Sequence, residues 1–275
     1  MTKVLAIVMS LVLICGIVAA FASCGGNGGT ENTTNDTTAD NAAAASDLAY
    51  IKDKGKMIIG ITEYAPMNYY EDGKLIGFDT EFAEAVCEKL GVEAEFMVIN
   101  WDTKTTELKT KTIDAVWNGM TIKDDLKASM SISDPYVHNA QVIVTKAENA
   151  EKYADAESIK EATIAVESGS AGEEQASAIA TNIVAKTTQA DALLEVKSGA
   201  ADCAVIDITM AKAMTGEGTD YADLTYTGSL SEEFYGIGFR VDSDVCAEVN
   251  GIIKDMKADG SLQKLADKYN LTLAD

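Results

Sequence analysis

The first 23 residues are almost continuously apolar, which separates them from the rest of the chain. Lys3 is the only charged residue among them, and the apolar run extends from Val4 to Ala22. A run of this length is typical of either a membrane anchor or a secretory signal. Its N-terminal position, weakly basic start and small final residues predict a cleaved signal peptide over residues 1–23.

The residues at the end of this run, Phe21-Ala22-Ser23-Cys24, resemble a lipoprotein box. The resemblance implies that Cys24 becomes the diacylglycerol-bearing first residue of the mature chain, which would anchor an extracytoplasmic protein to the cell membrane. Simple cleavage and a retained anchor are the alternatives. Residues 24–46 have no aromatic residue and are rich in glycine, asparagine, threonine and alanine, so we predict a flexible tether.

From residue 56 onward, short apolar runs alternate with segments of helical periodicity. The run 56–61 has too few polar residues for a solvated face, so it predicts a strand in the centre of a sheet. Apolar residues recurring every four positions from Phe82 to Leu90 predict a helix, and Asp79 is its expected cap. We predict further strands at 94–99, 114–117, 141–145, 163–166, 203–206 and 236–239, and further helices at 173–181, 189–197, 245–256 and 262–269. This alternation indicates the α/β class.

Two segments of the chain, 107–116 and 195–204, align with each other without a gap. Each is the end of an amphipathic helix, a turn and an apolar strand. Repetition of such a unit suggests two lobes of the same kind. The first strand runs out at Asn118-Gly119 and the second at Asp207, so both strand ends would face one cleft.

Two lobes in this order require the chain to pass between them twice. We place the outward crossing near 137–139 and the return near 233–236, which predicts a hinge of two strands. The predicted lobe 1 comprises residues 47–138 and 235–275, and the predicted lobe 2 comprises residues 139–234.

Charge and cysteine content exclude several function classes. The formal net charge is −22, so nucleic acid is not an expected partner, because the chain offers no basic patch. Cys87, Cys203 and Cys246 lie in apolar contexts and are expected to be small buried core residues. The sequence has no residue spacing typical of a metal site, and no cofactor is expected.

Polar residues follow the predicted strand ends, and this is where we expect a ligand. In open α/β sheets, ligands bind outside the carboxyl ends of the strands, as at Asn118-Gly119 after the strand 114–117. Residues 168–172 lie between a strand and a helix, where free amides and the positive helix end favour an anion such as a carboxylate. Asp207 ends an apolar strand, and burial of its carboxylate would be costly without a cation.

Three motifs, in order along the chain, resemble one known family. They are Gly-Phe-Asp-Thr-Glu-Phe at 77–82, Asn-Gly-Met-Thr-Ile at 118–122 and Ser-Asp-Pro-Tyr at 133–136. Over roughly residues 57–271 the chain is similar to the bacterial extracellular solute-binding proteins of family 3, the receptors of polar amino-acid ABC importers. The resemblance implies an α/β, two-lobed periplasmic-binding-protein-like (type II) fold with two crossover hinge strands. It also implies a monomer that closes on a small polar solute, an amino acid above all, and delivers it to an ABC permease.

The same resemblance implies roles for individual residues. Tyr64 would form an aromatic wall, Trp101 would pack against the ligand side chain, and Asp207 would hold the ligand's ammonium group. The respective alternatives are packing at a loop, a core tryptophan and a helix cap. The complete predicted ligand-binding set is Tyr64, Trp101, Asn118, Gly119, Thr121, Lys123, Gly169, Ser170 and Asp207.

One position departs from the family pattern. The loop after the 118–122 motif usually carries an arginine that clamps the ligand's α-carboxylate, and Leu126 stands in its place. The only arginine, Arg240, follows the return strand and is not on that loop. Lys123 or Lys127 could supply a positive charge, and two solvated lysines on a helix turn are the alternative. Either carboxylate binding rests on a lysine, backbone amides and Thr121, or the ligand is not a standard α-amino acid.

An enzyme and a sensor are the rival function classes. His138 is the only histidine and lies at the predicted hinge, and the sequence has no Gly-x-Ser-x-Gly, metal-binding or nucleotide-binding motif. Some relatives of this fold are dehydratases, in which Glu63 or Glu167 would serve as the proton carrier. A sensor with the same lobes would signal through a partner protein. The sequence favours a binding protein over both.

Overall fold

The computed structural model describes residues 46–275. The predictions for the first 45 residues, which are the signal peptide, the lipidated Cys24 and nearly all of the tether, lie outside the described residues. Within residues 46–275, no helix is both long and apolar enough to cross a membrane.

Strands and helices alternate along the described chain. The strands are β1 Lys56–Ile61, β2 Tyr69–Glu71, β3 Lys74–Ile76, β4 Glu93–Val98, β5 Ala115–Thr121, β6 Ser131–Ile132, β7 Val137–Lys146, β8 Ile164–Glu167, β9 Ile183–Lys186, β10 Cys203–Asp207 and β11 Leu224–Phe239. The helices are α1 Asp47–Lys54, α2 Phe78–Leu90, α3 Lys104–Lys109, α4 Asp124–Lys127, α5 Ala171–Ile179, α6 Gln189–Ser198, α7 Ile208–Met214, α8 Asp244–Ala258 and α9 Ser261–Lys268. Every strand and helix predicted from residue 56 onward is present, and the α/β class is confirmed.

One mixed sheet of nine strands runs through the molecule. Its order is β4-β1-β5-β11-β7-β10-β8-β9, with β6 pairing to β11 outside this path. The strands at the two ends form parallel groups, β4-β1-β5 and β10-β8-β9. The long strands β7 and β11 lie between these groups, and each is antiparallel to its neighbours. Two parallel α/β units are therefore joined through two long central strands.

The two predicted crossing segments are hydrogen-bonded neighbours in this sheet. Residues 137–139 of β7 pair directly with residues 233–235 of β11. From the sequence, we expect the return segment 233–236 to lead into a strand at 236–239. It lies instead inside the longer strand β11, which begins at Leu224. The first half of β11 was not predicted, because polar residues predominate in its sequence. In the structure these residues alternate with partly buried ones and pair with β7. The boundaries of the two lobes remain a prediction.

The internal repeat seen in the sequence corresponds to a repeated hydrogen-bond pattern. The Asp114 amide donates to the Ile58 carbonyl, and the Ile58 amide donates back to the Asp114 carboxylate at 2.8 Å. In the second unit, the Asp202 amide donates to the Thr163 carbonyl, and the Thr163 amide donates to the Asp202 carboxylate at 2.9 Å. Each aspartate thus bonds the start of one parallel strand to its neighbour. This shared role explains why both copies of the internal repeat contain an aspartate at that position.

Helix α2 packs its aromatic face on β5. The Phe82 ring lies edge-on to the ring of Trp117, with 5.0 Å between their centroids, and both side chains are fully buried. The prediction that Asp79 caps α2 is wrong, because Gly77 occupies the N-cap position. The Asp79 carboxylate points into the core instead and accepts a hydrogen bond from the Tyr136 hydroxyl at 2.9 Å. The first turn of α2 is therefore bonded to Tyr136, the residue before β7, while its aromatic face packs on β5.

Strand β5 extends four residues beyond its predicted end. The expected stop at Asn118-Gly119 is wrong, because β5 pairs with β11 as far as Thr121. The register between these strands shifts near Gly236, opposite the end of β5, and Gly119 has a φ of 58°. The polar residues of this segment are thus fixed by sheet hydrogen bonds rather than carried on a loop.

The three cysteines in the described residues are free thiols. Cys87 and Cys203 are buried, as predicted, and Cys246 is only partly buried. Burial raises the pKa of both buried thiols to about 12. They are therefore unreactive core residues at neutral pH.

Candidate functional site

A cavity lies between the carboxyl ends of β1 and β5 and those of β8 and β10. All nine residues of the predicted ligand set line it. The cavity volume is about 20 Å³, which is room for about one water molecule. A solute of amino-acid size therefore fits only when the walls move apart. We call the side with Tyr64, Trp101, Lys104, Asn118, Gly119, Thr121, Lys123 and Leu126 the first wall, and the side with Glu167, Gly169, Ser170, Ala171, Gln189 and Asp207 the second wall.

Tyr64 joins the first wall to the hinge strands. Its side chain is 3% exposed, and its hydroxyl is hydrogen-bonded to the hydroxyls of Thr209 and Tyr235. Those two hydroxyls are also bonded to each other at 2.8 Å. The ring lines the cavity as predicted, while the hydroxyl is part of a buried cluster.

Asn118 lies at the cavity, but its side chain is bonded within the first wall. Its carboxamide oxygen accepts hydrogen bonds from the backbone amide and the hydroxyl of Thr62, at 3.0 and 2.7 Å. Its amide nitrogen donates to the Thr62 carbonyl at 3.0 Å. These bonds hold the loop after β1, so Asn118 shapes the wall rather than presenting a free amide.

Asp207 ends β10 deep in the second wall and is 5% exposed. Its carboxylate accepts hydrogen bonds from the side-chain amides of Asn139, Gln141 and Gln189. Asp207 occupies the N-cap position of α7, as the helix-cap alternative expected, but its side chain makes no capping bond to that helix. Burial, and secondarily the charge of Glu233, raises the pKa of Asp207 to about 7. A cation at the cavity would favour the ionised form of this carboxylate.

Glu233 of β11 shares two of these amide donors. Its carboxylate accepts from Asn139 at 3.2 Å and from Gln141 at 3.0 Å. It also accepts from the Thr121 hydroxyl of the first wall at 2.9 Å. The Thr121 hydroxyl is therefore engaged by the hinge strand and is not a free donor to the cavity.

Two side-chain to backbone hydrogen bonds close the turn between β8 and α5. The Ser170 hydroxyl accepts from the Glu173 amide at 3.1 Å, and the Glu173 carboxylate accepts from the Gly169 amide at 2.7 Å. The expectation that the Gly169 amide is free for an anion is thus wrong, because Glu173 already binds it. Ala171 begins α5 and lines the cavity, so the first turn of that helix lies at the wall.

Lys104 is the principal residue that sequence reasoning missed. It is only 6% exposed, and its ammonium donates to the carbonyls of Trp101 at 3.1 Å and Gly169 at 2.9 Å. The ammonium also lies 4.7 Å from the centroid of the Trp101 ring. Burial, helped by the charge of Lys123, lowers the pKa of Lys104 to about 8. Its position one turn after the tryptophan is the sequence signal that would have found it.

The two lysines proposed from the sequence are both paired with acids. Lys123 lines the cavity edge and forms ion pairs with Glu174 at 2.7 Å and Asp125 at 3.5 Å. Lys127 pairs with Asp124 at 2.8 Å and is not a lining residue. Leu126 does line the cavity, where it presents an apolar surface.

Glu167, the last residue of β8, is a second buried acid of the second wall. It is 4% exposed, and its Oε1 atom has no hydrogen-bond partner among the described residues. Burial, and secondarily the charge of Asp207, raises the pKa of Glu167 to about 8. Glu63, the other acid considered as a proton carrier, is exposed and is not a lining residue.

Comparison with known proteins assigns the chain to a family. The model for bacterial extracellular solute-binding proteins, family 3, matches residues 57–272. This chain is a family 3 solute-binding protein. The arginine-binding extracellular protein ArtP of Bacillus subtilis is 30% identical over 234 residues, which are 83% of this chain and 91% of ArtP. The L-cystine-binding protein TcyJ of Escherichia coli K12 is 29% identical over 81% of this chain and 85% of TcyJ.

Solved structures of amino-acid-binding proteins have a fold similar to that of this chain. A mutant of ArgBP from T. maritima superposes with a TM-score of 0.76 at 31% identity, covering 81% of this chain and 98% of that chain. The ancestral amino acid-binding protein AncCDT-1, a precursor of cyclohexadienyl dehydratase, gives 0.75 at 32% identity and covers 82% of this chain and 99% of that chain. The two-lobed type II fold predicted for this family 3 protein is confirmed.

Family membership confirms the predicted function at the level of the protein class. This family 3 protein is the extracytoplasmic solute-binding component of an ABC importer and captures a small polar solute. The curated relatives named here are binding proteins, whereas AncCDT-1 is described as a precursor of an enzyme. Among residues 46–275, no cluster of three or more histidine, cysteine or acidic side chains is suited to a metal ion.

Proposed function

We infer that the cavity binds an amino acid, with the ammonium group at Asp207 and the α-carboxylate toward Lys104. The observation that supports this most strongly is the placement of a buried carboxylate and a buried ammonium on opposite walls of one cavity. A zwitterion placed between them meets an opposite charge at each end. The relatives described as arginine-, cystine- and glutamine-binding proteins agree with an amino-acid ligand.

The ammonium end has a preorganised acceptor. Three amide side chains hold the Asp207 carboxylate, so its orientation is fixed before a ligand arrives. Its raised pKa shows that burial disfavours the charge in the absence of a cation. A ligand ammonium supplies that cation and stabilises the ionised form.

Lys104 and backbone groups bind the α-carboxylate of the ligand. They replace the arginine that the family usually carries at the position of Leu126. Leu126 has no charge, and Lys123 is neutralised by Glu174 and Asp125. Lys104 is held in place by two carbonyl oxygens, and a lysine ammonium has a third donor to offer a ligand. The first turn of α5 adds amides that have no partner inside the helix.

Capture proceeds by closure of the two predicted lobes. With a cavity of about 20 Å³, the two walls must separate to admit a ligand, and β7 and β11 are the strands that connect them. The ligand settles first on Tyr64, Trp101 and Gly119, and the second wall then closes through Ser170 and Asp207. The importer recognises the closed form, whose population the ligand increases.

The protein works as a monomer tethered to the membrane by Cys24 and residues 24–46. A lipid chain keeps the receptor near its permease, while the polar tether gives it reach. Replacement of Cys24 by serine is expected to release the protein from the membrane fraction into the soluble fraction. Size-exclusion chromatography of the released protein should give the mass of one chain.

Thermal unfolding with a panel of amino acids tests the proposal. The protein is unfolded and refolded beforehand to remove carried ligand. A ligand at about a hundred times its dissociation constant stabilises the folded state by about 2.7 kcal/mol, which raises Tm by about 5 °C or more. The proposal requires such a shift with at least one α-amino acid and recovery of that amino acid unchanged. Shifts confined to amines that lack a carboxylate would contradict it.

A further inference from the structure

The Glu167 side chain is not explained by a simple zwitterion bound at Asp207 and Lys104. It lines the cavity from the end of β8 and is 4% exposed, and its Oε1 atom has no hydrogen-bond partner in the described part of the chain. An unpaired buried carboxylate oxygen is costly and uncommon in folded proteins. The site therefore contains an acceptor atom to which no donor among residues 46–275 is hydrogen-bonded.

The charges that line the cavity point to the nature of that donor. The buried side chains able to carry charge are Lys104, Glu167 and Asp207, each less than a tenth exposed. Fully ionised, these three side chains sum to one negative charge, and Lys123 at the edge is already paired with Glu174 and Asp125, which do not line the cavity. With a neutral zwitterion bound, burial keeps Glu167 in its uncharged form and leaves its Oε1 atom without a partner in the described structure. A ligand with one net positive charge allows all three side chains to be ionised with no excess charge.

We propose that Glu167 binds a second cationic group on the ligand, so that the solute is a cationic amino acid with an ammonium or guanidinium side chain. This assignment rests on the amino-acid binding proposed above and adds the class of side chain. Asp207 takes the α-ammonium, Lys104 takes the α-carboxylate, and the free Oε1 atom of Glu167 takes the distal cation. The Gln189 amide donates to Asp207 and also lies close enough to Glu167 to lower its pKa, but it leaves the Oε1 atom without a hydrogen bond.

A proton leaves Glu167 when the ligand binds. The groups that act on this carboxyl are Asp207 and Asp191, which raise its pKa, and Lys104 and Gln189, which lower it, with burial as the largest cause. Without a second cation, the neutral carboxylic acid is therefore favoured at pH 7. A guanidinium or ammonium beside it favours the carboxylate, so binding of the ligand displaces the proton.

Titration calorimetry with L-arginine and L-citrulline tests the proposal, because these ligands have nearly the same size and differ in the charge of the distal group. We expect arginine to bind about tenfold tighter or more. The variant Glu167→Gln keeps the size of the side chain and should reduce arginine affinity by about tenfold or more, while citrulline affinity changes within about threefold. Glu161→Gln, which alters an exposed acid ahead of β8, is the control and should behave as the wild type.

A second readout separates a charge contact from a structural role. At pH 7, arginine titrations in two buffers of different ionisation enthalpy should show proton release by the wild-type protein and less release by Glu167→Gln. Equal affinity for arginine and citrulline, or an equal loss of both in Glu167→Gln, would overturn the proposal. Binding of citrulline or glutamine without binding of arginine would overturn it as well, yet leave amino-acid binding standing. Failure of every amino acid to bind would instead reject the proposed function.

Discussion

The carboxylate of Asp79 accepts a hydrogen bond from the backbone amide of Gly119 at 2.6 Å. Asp79 belongs to the first turn of α2, and Gly119 is the cavity residue of β5 with positive φ. This bond fixes the irregular point of the strand through a residue that does not line the cavity. The Gly-Phe-Asp motif at 77–79 therefore contributes to the site without touching the cavity, through the strand that it holds.

Substitution of Gly119 by alanine should damage the site directly. An added Cβ atom would lie 2.6 Å from Cε1 of Tyr64, and the φ of 58° is unfavourable for alanine. We expect a loss of about 2 kcal/mol or more in the free energy of unfolding, and weaker ligand binding as Tyr64 is displaced.

Gly55→Ala is the matched control, because its φ is 73° but nothing lies within 4 Å of the added atom. It should cost about 1 kcal/mol and leave binding unchanged. Urea denaturation and titration calorimetry measure both effects. Equal stability losses in the two variants would show that the contact with Tyr64 is not limiting.

Asp207→Asn should weaken binding of the amino acid by about tenfold or more, because the ammonium group loses its buried counter-charge. The three amides that bind Asp207 also lose an ionic acceptor, so some stability is lost with affinity.

Asp202→Asn alters an aspartate of the strand start outside the cavity and is the comparison variant. Its ligand affinity should remain within about threefold of the wild type. Calorimetry on both variants decides the matter: a normal affinity for Asp207→Asn would remove this carboxylate from the ligand site.

Lys104→Met should separate binding from stability. The variant removes the ammonium to which we assign the ligand carboxylate in our proposal, so affinity should fall by about tenfold or more. Stability should change by only about 1 kcal/mol, because the lowered pKa shows that burial of this charge is costly.

Lys127→Met removes a lysine that is paired with Asp124 outside the cavity. It should leave both affinity and stability close to those of the wild type. If Lys104→Met binds the ligand as tightly as Lys127→Met does, Lys104 does not bind the α-carboxylate. Lys123 or backbone amides alone would then be its binding groups.

Stability should fall as the pH rises through the neutral range. The pKa of Glu167 is raised from an ordinary 4.5 to about 8, so the folded state binds this proton more tightly than the unfolded state. Between these values, the free energy of unfolding decreases with pH by up to about 1.4 kcal/mol per unit from this one group. Asp79 and Asp207, with pKa values raised to about 7, contribute with the same sign.

Urea denaturation of the ligand-free protein from pH 5 to pH 8 measures this dependence. Glu167→Gln should show a shallower decline than the wild type, because it has no proton to lose. Identical pH profiles for the two proteins would indicate that Glu167 is ionised with equal ease in the folded and unfolded states.

Much of the fold was predictable because its signals are local. The repeated helix, turn and strand at 107–116 and 195–204 predicted two similar units, and Asp114 and Asp202 make the same hydrogen bonds in each. The first half of β11 was missed, because its inner and outer faces are decided by pairing with β7. The sequence pattern there is polar and gives no indication of that pairing.

The residues that line the cavity were predictable from the sequence, but their hydrogen bonds were not. All nine expected residues line one cavity, yet Asn118, Thr121 and Gly169 are bonded to other parts of the protein. Lys104 was missed, because a lysine on a short helix is ordinarily solvated, and only the approach of the Gly169 carbonyl from the other wall buries it. The hydrogen bonds of the cavity residues and the burial of Lys104 depend on contacts between segments that are distant in the sequence.

The pairing of β7 with β11 limits the directions in which the two predicted lobes could rotate during the proposed closure. A single connecting strand would let one lobe swivel about several axes, so most encounters between the walls would bring the wrong side chains together. Two strands bonded side by side along 137–139 and 233–235 restrict the rotation largely to one direction. In the proposed closure, Asp207 and Lys104 would therefore return to the same separation each time, and the ligand would not have to supply the free-energy cost of that conformational search.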